Sequence, residues 1–354
     1  MDGTRTAGAT QALAAAVLFG TGAPLAKLLV PSVEPVVLAA LLYLGAGLAL
    51  VAVRARRADD TATTREAPLT LKDAPLIVGV VVAGGMVGPW LLLVGVRHLP
   101  GATASLLLNL EAPLTIILAT TLFSEHLGAR AAGGAVLIVA GAVLVTARAG
   151  SAPPDWLGCA AVAGACASWA IDNNLSQRLS LRDPIEVVRI KGLAAGASML
   201  LIAWVTGQSS PTIAAAGAGL LLGAGAYGAS LIFAVRALRL LGSARQAAYF
   251  ATAPFIGAAL SVPLLGERLD GATAIAALTM AAGVGLLLEE RHAHVHTHES
   301  LEHEHAHVHD EHHRHAHAGA WSEPHSHPHR HVALTHDHPH VSDAHHRHRH
   351  GGGR

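Results

Sequence analysis

The amino-acid sequence predicts an all-α polytopic membrane protein with ten transmembrane helices arranged as two inverted five-helix repeats. Three observations carry this expectation. Hydrophobic residues make up 52% of the 354 residues against only 14% charged, with a mean hydropathy of +0.44, too little charge for a water-facing surface. Ten apolar stretches of roughly membrane-crossing length, near 20 residues each, follow one another with short linkers. The chain also repeats itself: Leu99, Gly101, Ala112 and Pro113 return 141 residues on as Leu240, Gly242, Ala253 and Pro254. Glu125, Leu127, Gly141 and Leu144 return 142 residues on as Glu267, Leu269, Gly283 and Leu286. One inserted residue explains the slip between the two offsets.

The first five apolar stretches lie near 10–30, 35–53, 74–96, 102–123 and 129–147. The second five lie near 156–175, 185–205, 213–235, 244–265 and 271–289. This divides the chain into a cytoplasmic segment 1–9, a first repeat 10–150, a second repeat 151–290 and a tail 291–354. The first stretch is read as a retained helix rather than a signal peptide, because Lys27 interrupts it and no clear Ala-x-Ala site ends it.

Basic residues set the orientation. With the N terminus in the cytoplasm, Arg54, Arg56, Arg57, Arg65, Lys72, Arg130, Arg178, Arg182, Arg236 and Arg239 fall inside, and only Arg97, Arg148 and Arg268 outside. Both termini are therefore expected in the cytoplasm, in the plasma membrane. Each repeat has an odd number of crossings, so the second starts from the opposite face and is inverted relative to the first.

Ala and Gly crowd the helices, as in AGGAVLIVAGAVL, and such residues let helix backbones approach closely in lipid. Pro113 and Pro254 occupy matching places, where a missing N–H and the ring clash favour a kink; they are the expected hinges. Cys159 and Cys166 lie two turns apart on one helix, too far for a disulfide there, and are expected as small contact residues. Glu125 and Glu267 are expected as turn carboxylates capping helices.

The motifs FGTGAPLAK, VRHLPGATASLLLNLEAPLTIILA followed by SEHL, WAIDNNLSQRL, and ALRLLGSARQAAYFATAPF followed by GERL run through residues 10–289. As a set they resemble the EamA-type transporters of the drug/metabolite transporter superfamily. The resemblance implies a ten-helix carrier with a central cavity that moves small metabolites, amino acids or drug-like compounds, often outward. The chain departs from that pattern in two places: Thr252 stands where the second repeat would match Glu111, and a long His-rich tail is added.

Ionisable residues at mid-bilayer depth cost about 2.5–3.5 kcal/mol on insertion scales and are retained most easily beside a partner or a wet cavity. Glu111, near the middle of the fourth helix, is the leading substrate or coupling residue, with Asn109 one of the polar groups beside it. Asp172 and Asn173 on the sixth helix are candidates for a vestibule lining, and Trp90, Trp169 and Tyr249 for cavity aromatics. Lys27 joins the set because the resemblance places the first helix at the cavity. Arg189 and Lys191 are expected to snorkel to the headgroups.

The tail holds all but two of the 25 His. Its low apolar content, Pro and Gly predict disorder. Neutral imidazoles suit zinc, nickel, cobalt and copper. His292, His294, His296, His298, His303, His305, His307, His309, His312, His313, His315 and His317 are the candidate ligands. No cofactor is required for the helices, and no nucleotide-binding loop, catalytic constellation or nucleic-acid-binding charge excess is present, so no enzyme is expected. The partners expected are a small-molecule substrate, the lipid bilayer, transition-metal ions and a second copy in a homodimer. Three functions stay open on the sequence: a metabolite exporter working by alternating access, a transition-metal carrier or metal-regulated carrier whose tail collects or senses the ion, and a membrane-anchored metal buffer.

Overall fold

In the computed structural model the described residues are 2–56, 68–123, 128–147, 155–179, 182–241, 246, 249–288 and four tail strands described by their backbone, 292–298, 302–307, 325–330 and 334–340. Ten helical rods account for the two repeats. In the first they are α1 (Asp2–Leu29), α2 (Pro35–Arg56), α3 (Leu71–His98), α4 (Gly101–Leu107, Leu108–Leu110 and Glu111–Phe123) and α5 (Ala129–Ala147). In the second they are α6 (Trp156–Leu179), α7 (Pro184–Val205), α8 (Ile213–Leu222, Gly223–Ala229 and Ser230–Leu241), α9 (Ala253–Leu265) and α10 (Gly271–Leu288). Six of the described helices are long and apolar enough to cross a membrane: Thr6–Leu29, Pro35–Ala55, Leu71–His98, Gly101–Leu118, Ala129–Ala147 and Ile213–Ala237.

The helices pack reciprocally. α1 lies along α8 and α9, just as α6 lies along α3 and α4, while α2 pairs with α7, α4 with α9 and α5 with α10. This is the pattern produced when an approximate twofold operation exchanges the two halves. The α5–α10 contact shows why small residues are needed. A Cβ on Gly134 would lie 2.6 Å from the Gly283 carbonyl oxygen, and a Cβ on Gly283 would lie 2.6 Å from that of Gly134.

Helical regularity breaks at matching places. α3 contains a π-helical segment at Val81–Val87 and α8 another at Gly223–Ala229, starting 142 residues apart, as the repeat offset requires. The other break precedes the hinge prolines. In α4 a 3₁₀ turn at Leu108–Leu110 separates two α segments, and Pro113 sits in the first turn of the second. In α9, a turn at Ala251–Thr252 comes before the helix Ala253–Leu265, which carries Pro254 in its first turn. A proline is tolerated there because the first-turn N–H groups have no acceptor within the helix.

Several charges expected to face headgroups or cap local helices have specific partners. Arg189 donates to Glu186 at 3.0 and 2.5 Å, and Glu186 also binds Arg54, tying α7 to α2. Arg182 meets Asp73 at 3.0 Å. Glu267 caps a helix, but one in the other repeat: its carboxylate accepts from the Gly101 and Ala102 N–H groups at 2.6 and 2.8 Å, at the start of α4. Glu125 lies outside the described residues. Cys166 is buried and Cys159 partly so, both as free thiols.

The tail, expected to be without regular structure, forms four strands among its described residues: β1 (His292–His298), β2 (Glu302–His307), β3 (His325–Arg330) and β4 (Leu334–His340). β1 pairs antiparallel with β4, and β2 with β3. The physical reason lies in the sequence: alternating His-x-His has the period of two that a strand imposes.

Candidate functional site

The site is built where the π-helical segment of α3 meets α6. A π turn widens the helix and disturbs the regular ladder of main-chain hydrogen bonds, and such segments recur at functional places. Here side chains from both halves use its carbonyls. Tyr43 of α2 donates its hydroxyl to the Gly84 oxygen at 2.5 Å, and Trp169 Nε1 of α6 donates to the same oxygen at 3.1 Å. Ser168 Oγ donates to the Ala83 oxygen at 2.9 Å. Gly84 is required by close approach, since a Cβ on it would lie 2.2 Å from the Asp172 Cγ.

Charges gather beside this point. Lys191 Nζ donates to Asp172 Oδ2 at 2.5 Å, with the two side chains 8% and 10% exposed. Lys191 therefore does not snorkel: seven residues into α7 it turns inward, because a carboxylate on α6 offsets the cost of keeping an ammonium away from water. Asp172 Oδ1 also accepts from Ser176 Oγ at 3.3 Å. Next to this pair, Asn173 Nδ2 donates to Glu111 Oε1 at 2.6 Å, joining α6 to α4. Glu111 is half-buried and Asn173 exposed, so this second pair borders accessible space while the ion pair is closed off. Glu111 lies within electrostatic reach of both Asp172 and Lys191.

An aromatic group stands beside the same π segment. Phe19 of α1 makes edge contacts with Trp169 and with Tyr227 at centroid distances of 5.9 and 5.7 Å, and Tyr227 also meets Tyr43 at 5.7 Å. Tyr227 belongs to the π segment of α8, so the two irregular segments approach one another through Tyr43 and Tyr227.

Of the residues expected from sequence, Glu111, Trp169, Asp172 and Asn173 come together here. Four others do not. Asn109 is buried on a different face of α4, where its amide donates to the Leu106 oxygen at 3.0 Å and lies 3.8 Å from Met280 Sδ of α10. Two residues along a helix turn the side chain by about 200°, which separates Asn109 from Glu111. Lys27 donates to the Val96 oxygen at 2.8 Å and to the Leu99 oxygen, closing the C-terminal end of α3 as a cap. Trp90 is 44% exposed, away from the cluster. Tyr249 packs in a separate apolar group with Ala12, Ala237 and Leu241. The candidate histidines His309, His312, His313, His315 and His317 lie outside the described residues.

Sequence reading passed over Lys191, Tyr43, Ser168 and Phe19 as members of this site. Lys191 carried a usable signal, being a charge well inside an apolar stretch; the other three did not, since their importance comes from the π segment they meet. Among the described residues no group of three or more His, Cys, Asp or Glu converges as ion ligands.

Comparison with known proteins agrees with this architecture. An uncharacterized transporter of Methanothermobacter thermautotrophicus is 27% identical over 290 residues, spanning 78% of this chain and 84% of that protein. A solved crystal structure superposes with a TM-score of 0.59 at 24% identity, covering 79% of this chain and 96% of that one, and so shares the fold. The EamA-like transporter family matches twice, over residues 6–147 and 156–289, each match covering one of the two five-helix halves. With both halves matched, the chain belongs to the EamA-like transporter family and is a multi-pass membrane transporter.

Proposed function

We propose that the protein is a secondary exporter of small organic metabolites of amino-acid-like, zwitterionic character, working across the plasma membrane by alternating access. The observation that carries this reading is the pairing of both charge signs at the junction of the repeats: Glu111 on α4 with Asn173 on α6, next to Asp172 on α6 with Lys191 on α7. A carboxylate and an ammonium that already have partners can exchange them for the ammonium and carboxylate of a zwitterion at low net cost, since buried charge must stay paired. The reciprocal packing of the halves supports ten crossings in two inverted repeats, with both termini cytoplasmic.

Glu111 is the coupling group in this scheme, as the titratable side chain that borders accessible space. Glu111→Gln keeps the shape and removes the titration. In proteoliposomes loaded with radiolabelled neutral amino acids, the variant should lose proton-linked efflux while inserting as well as the parent. Undiminished flux with an unchanged pH profile would refute the role. Reporter fusions at both termini should score cytoplasmic.

A further inference from the structure

The tail ladders place histidines opposite histidines. Between β1 and β4 the Cα partners include His292 with His340, His294 with His338 and His296 with His336. Between β2 and β3 they are His303 with His329, His305 with His327 and His307 with His325. The intervening positions hold no histidine: Ala293 faces Pro339, Val295 faces Asp337, Glu304 faces Pro328 and Ala306 faces Ser326. Strand positions two apart share a face, so each ribbon carries three stacked His–His pairs on one face and none on the other. A one-residue slip would set every one of these histidines against another residue type, so the arrangement belongs to this register.

The spacing fits ion ligation. Residues directly opposite in an antiparallel ladder have Cβ atoms about 4.5–5.5 Å apart, and successive pairs on one face follow at about 6.8 Å. Imidazole nitrogens bind zinc at about 2.0–2.1 Å, a scale on which one pair supplies two donors to an ion and two successive pairs supply four. Imidazole favours zinc, copper, nickel and cobalt over calcium and magnesium, which take oxygen ligands.

We propose that each ribbon is a binding face for divalent transition-metal ions, with the cross-strand His–His pair as its unit. The assignment goes beyond the transport reading and does not depend on it. It replaces a diffuse set of tail histidines by twelve: His292, His294, His296, His303, His305 and His307 on the first strands, each with its partner on β3 or β4. His298 faces Leu334 and is left out. Binding favours the paired register, because ions that bridge two strands stabilise only the form in which the strands are aligned. The ribbon starts at His292, close behind the end of α10 at Leu288, so its metal state is held next to the membrane domain.

The test uses the full-length protein in lipid nanodiscs, titrated with Ni²⁺ and with Cu²⁺. Two variants carry the same number of tail histidines, all others being changed to Gln. One retains His294, His296, His336 and His338, two facing pairs of a single ribbon; the other retains His292, His294, His325 and His327, which do not face one another. The first should bind at least tenfold more tightly, and its Cu²⁺ paramagnetic resonance should report more coordinating nitrogens than the second. Equal affinity and equal spectra would overturn the proposal and leave only a composition effect. Failure of the first variant to bind either ion, with normal insertion, would overturn it as well.

Discussion

Lys191 and Asp172 form an ion pair of 2.5 Å between α7 and α6, directly beside the π-helical turn of α3. Both ends are nearly inaccessible, so neither charge has water to fall back on. Removing one partner of a buried pair costs about 3–5 kcal/mol, whereas removing both is often nearly neutral. Asp172→Asn and Lys191→Met should therefore each lower the thermal unfolding temperature in detergent, and the double variant should recover most of the loss. Additive losses would mean that the two side chains act independently.

Gly84 provides a sharper probe of the π segment. A Cβ there would collide with Asp172, whereas a Cβ on Gly225, in the π segment of α8, would meet nothing within 4 Å. Gly84→Ala should cost about 1–3 kcal/mol, the usual scale of overpacking, and depress transport. Gly225→Ala should leave both within experimental error. Paired measurements of unfolding temperature and flux distinguish these outcomes.

Glu267 and Lys27 cap the two sides of the α3–α4 turn, one accepting from the Gly101 and Ala102 N–H groups, the other donating to the Val96 and Leu99 carbonyls. Loss of an N-cap costs about 0.5–2 kcal/mol. Glu267→Ala should accelerate hydrogen exchange at residues 101–103 in α4 while leaving the middle of α7 unchanged. Unaltered exchange at these amides would show that the carboxylate is dispensable for the cap.

A pH effect is expected at Asp155, ahead of α6. The Gly158 N–H at 3.0 Å and the His98 ring at 2.9 Å hold its carboxyl below the usual carboxylate range. A depressed folded-state value contributes stability that is present above about pH 3.9, the unfolded value, and lost as pH falls through the folded one. The first turn of α6 should loosen only at acid pH in the parent protein. In Asp155→Asn that acid-specific loosening should disappear, as read by amide exchange at Gly158 and Cys159.

Much of the helical scaffold was legible in the chain, and for a simple reason. Crossing length, small-residue packing and the repeat offset are properties of the sequence itself, and the offset that relates Pro113 to Pro254 also relates the two π segments. Glu111 and Asp172 could be singled out because an ionisable residue inside an apolar stretch has a cost that composition reveals. The tail shows the limit of the same method: alternating histidines were read as low complexity, although their period is that of a strand.

The amino-acid sequence by itself determined that this chain lives in a membrane, that it is built twice over, and which side chains are too costly to be incidental. Tertiary structure decided what offsets each cost. Lys191 turns to Asp172 rather than to the headgroups, Asn109 faces Met280 while Glu111 faces Asn173, and Glu267 caps a helix more than 160 residues away. The difference is physical. Hydropathy registers what a charge or an unpaired N–H costs in lipid, but the partner is selected by which helix face the packing brings within about 3 Å.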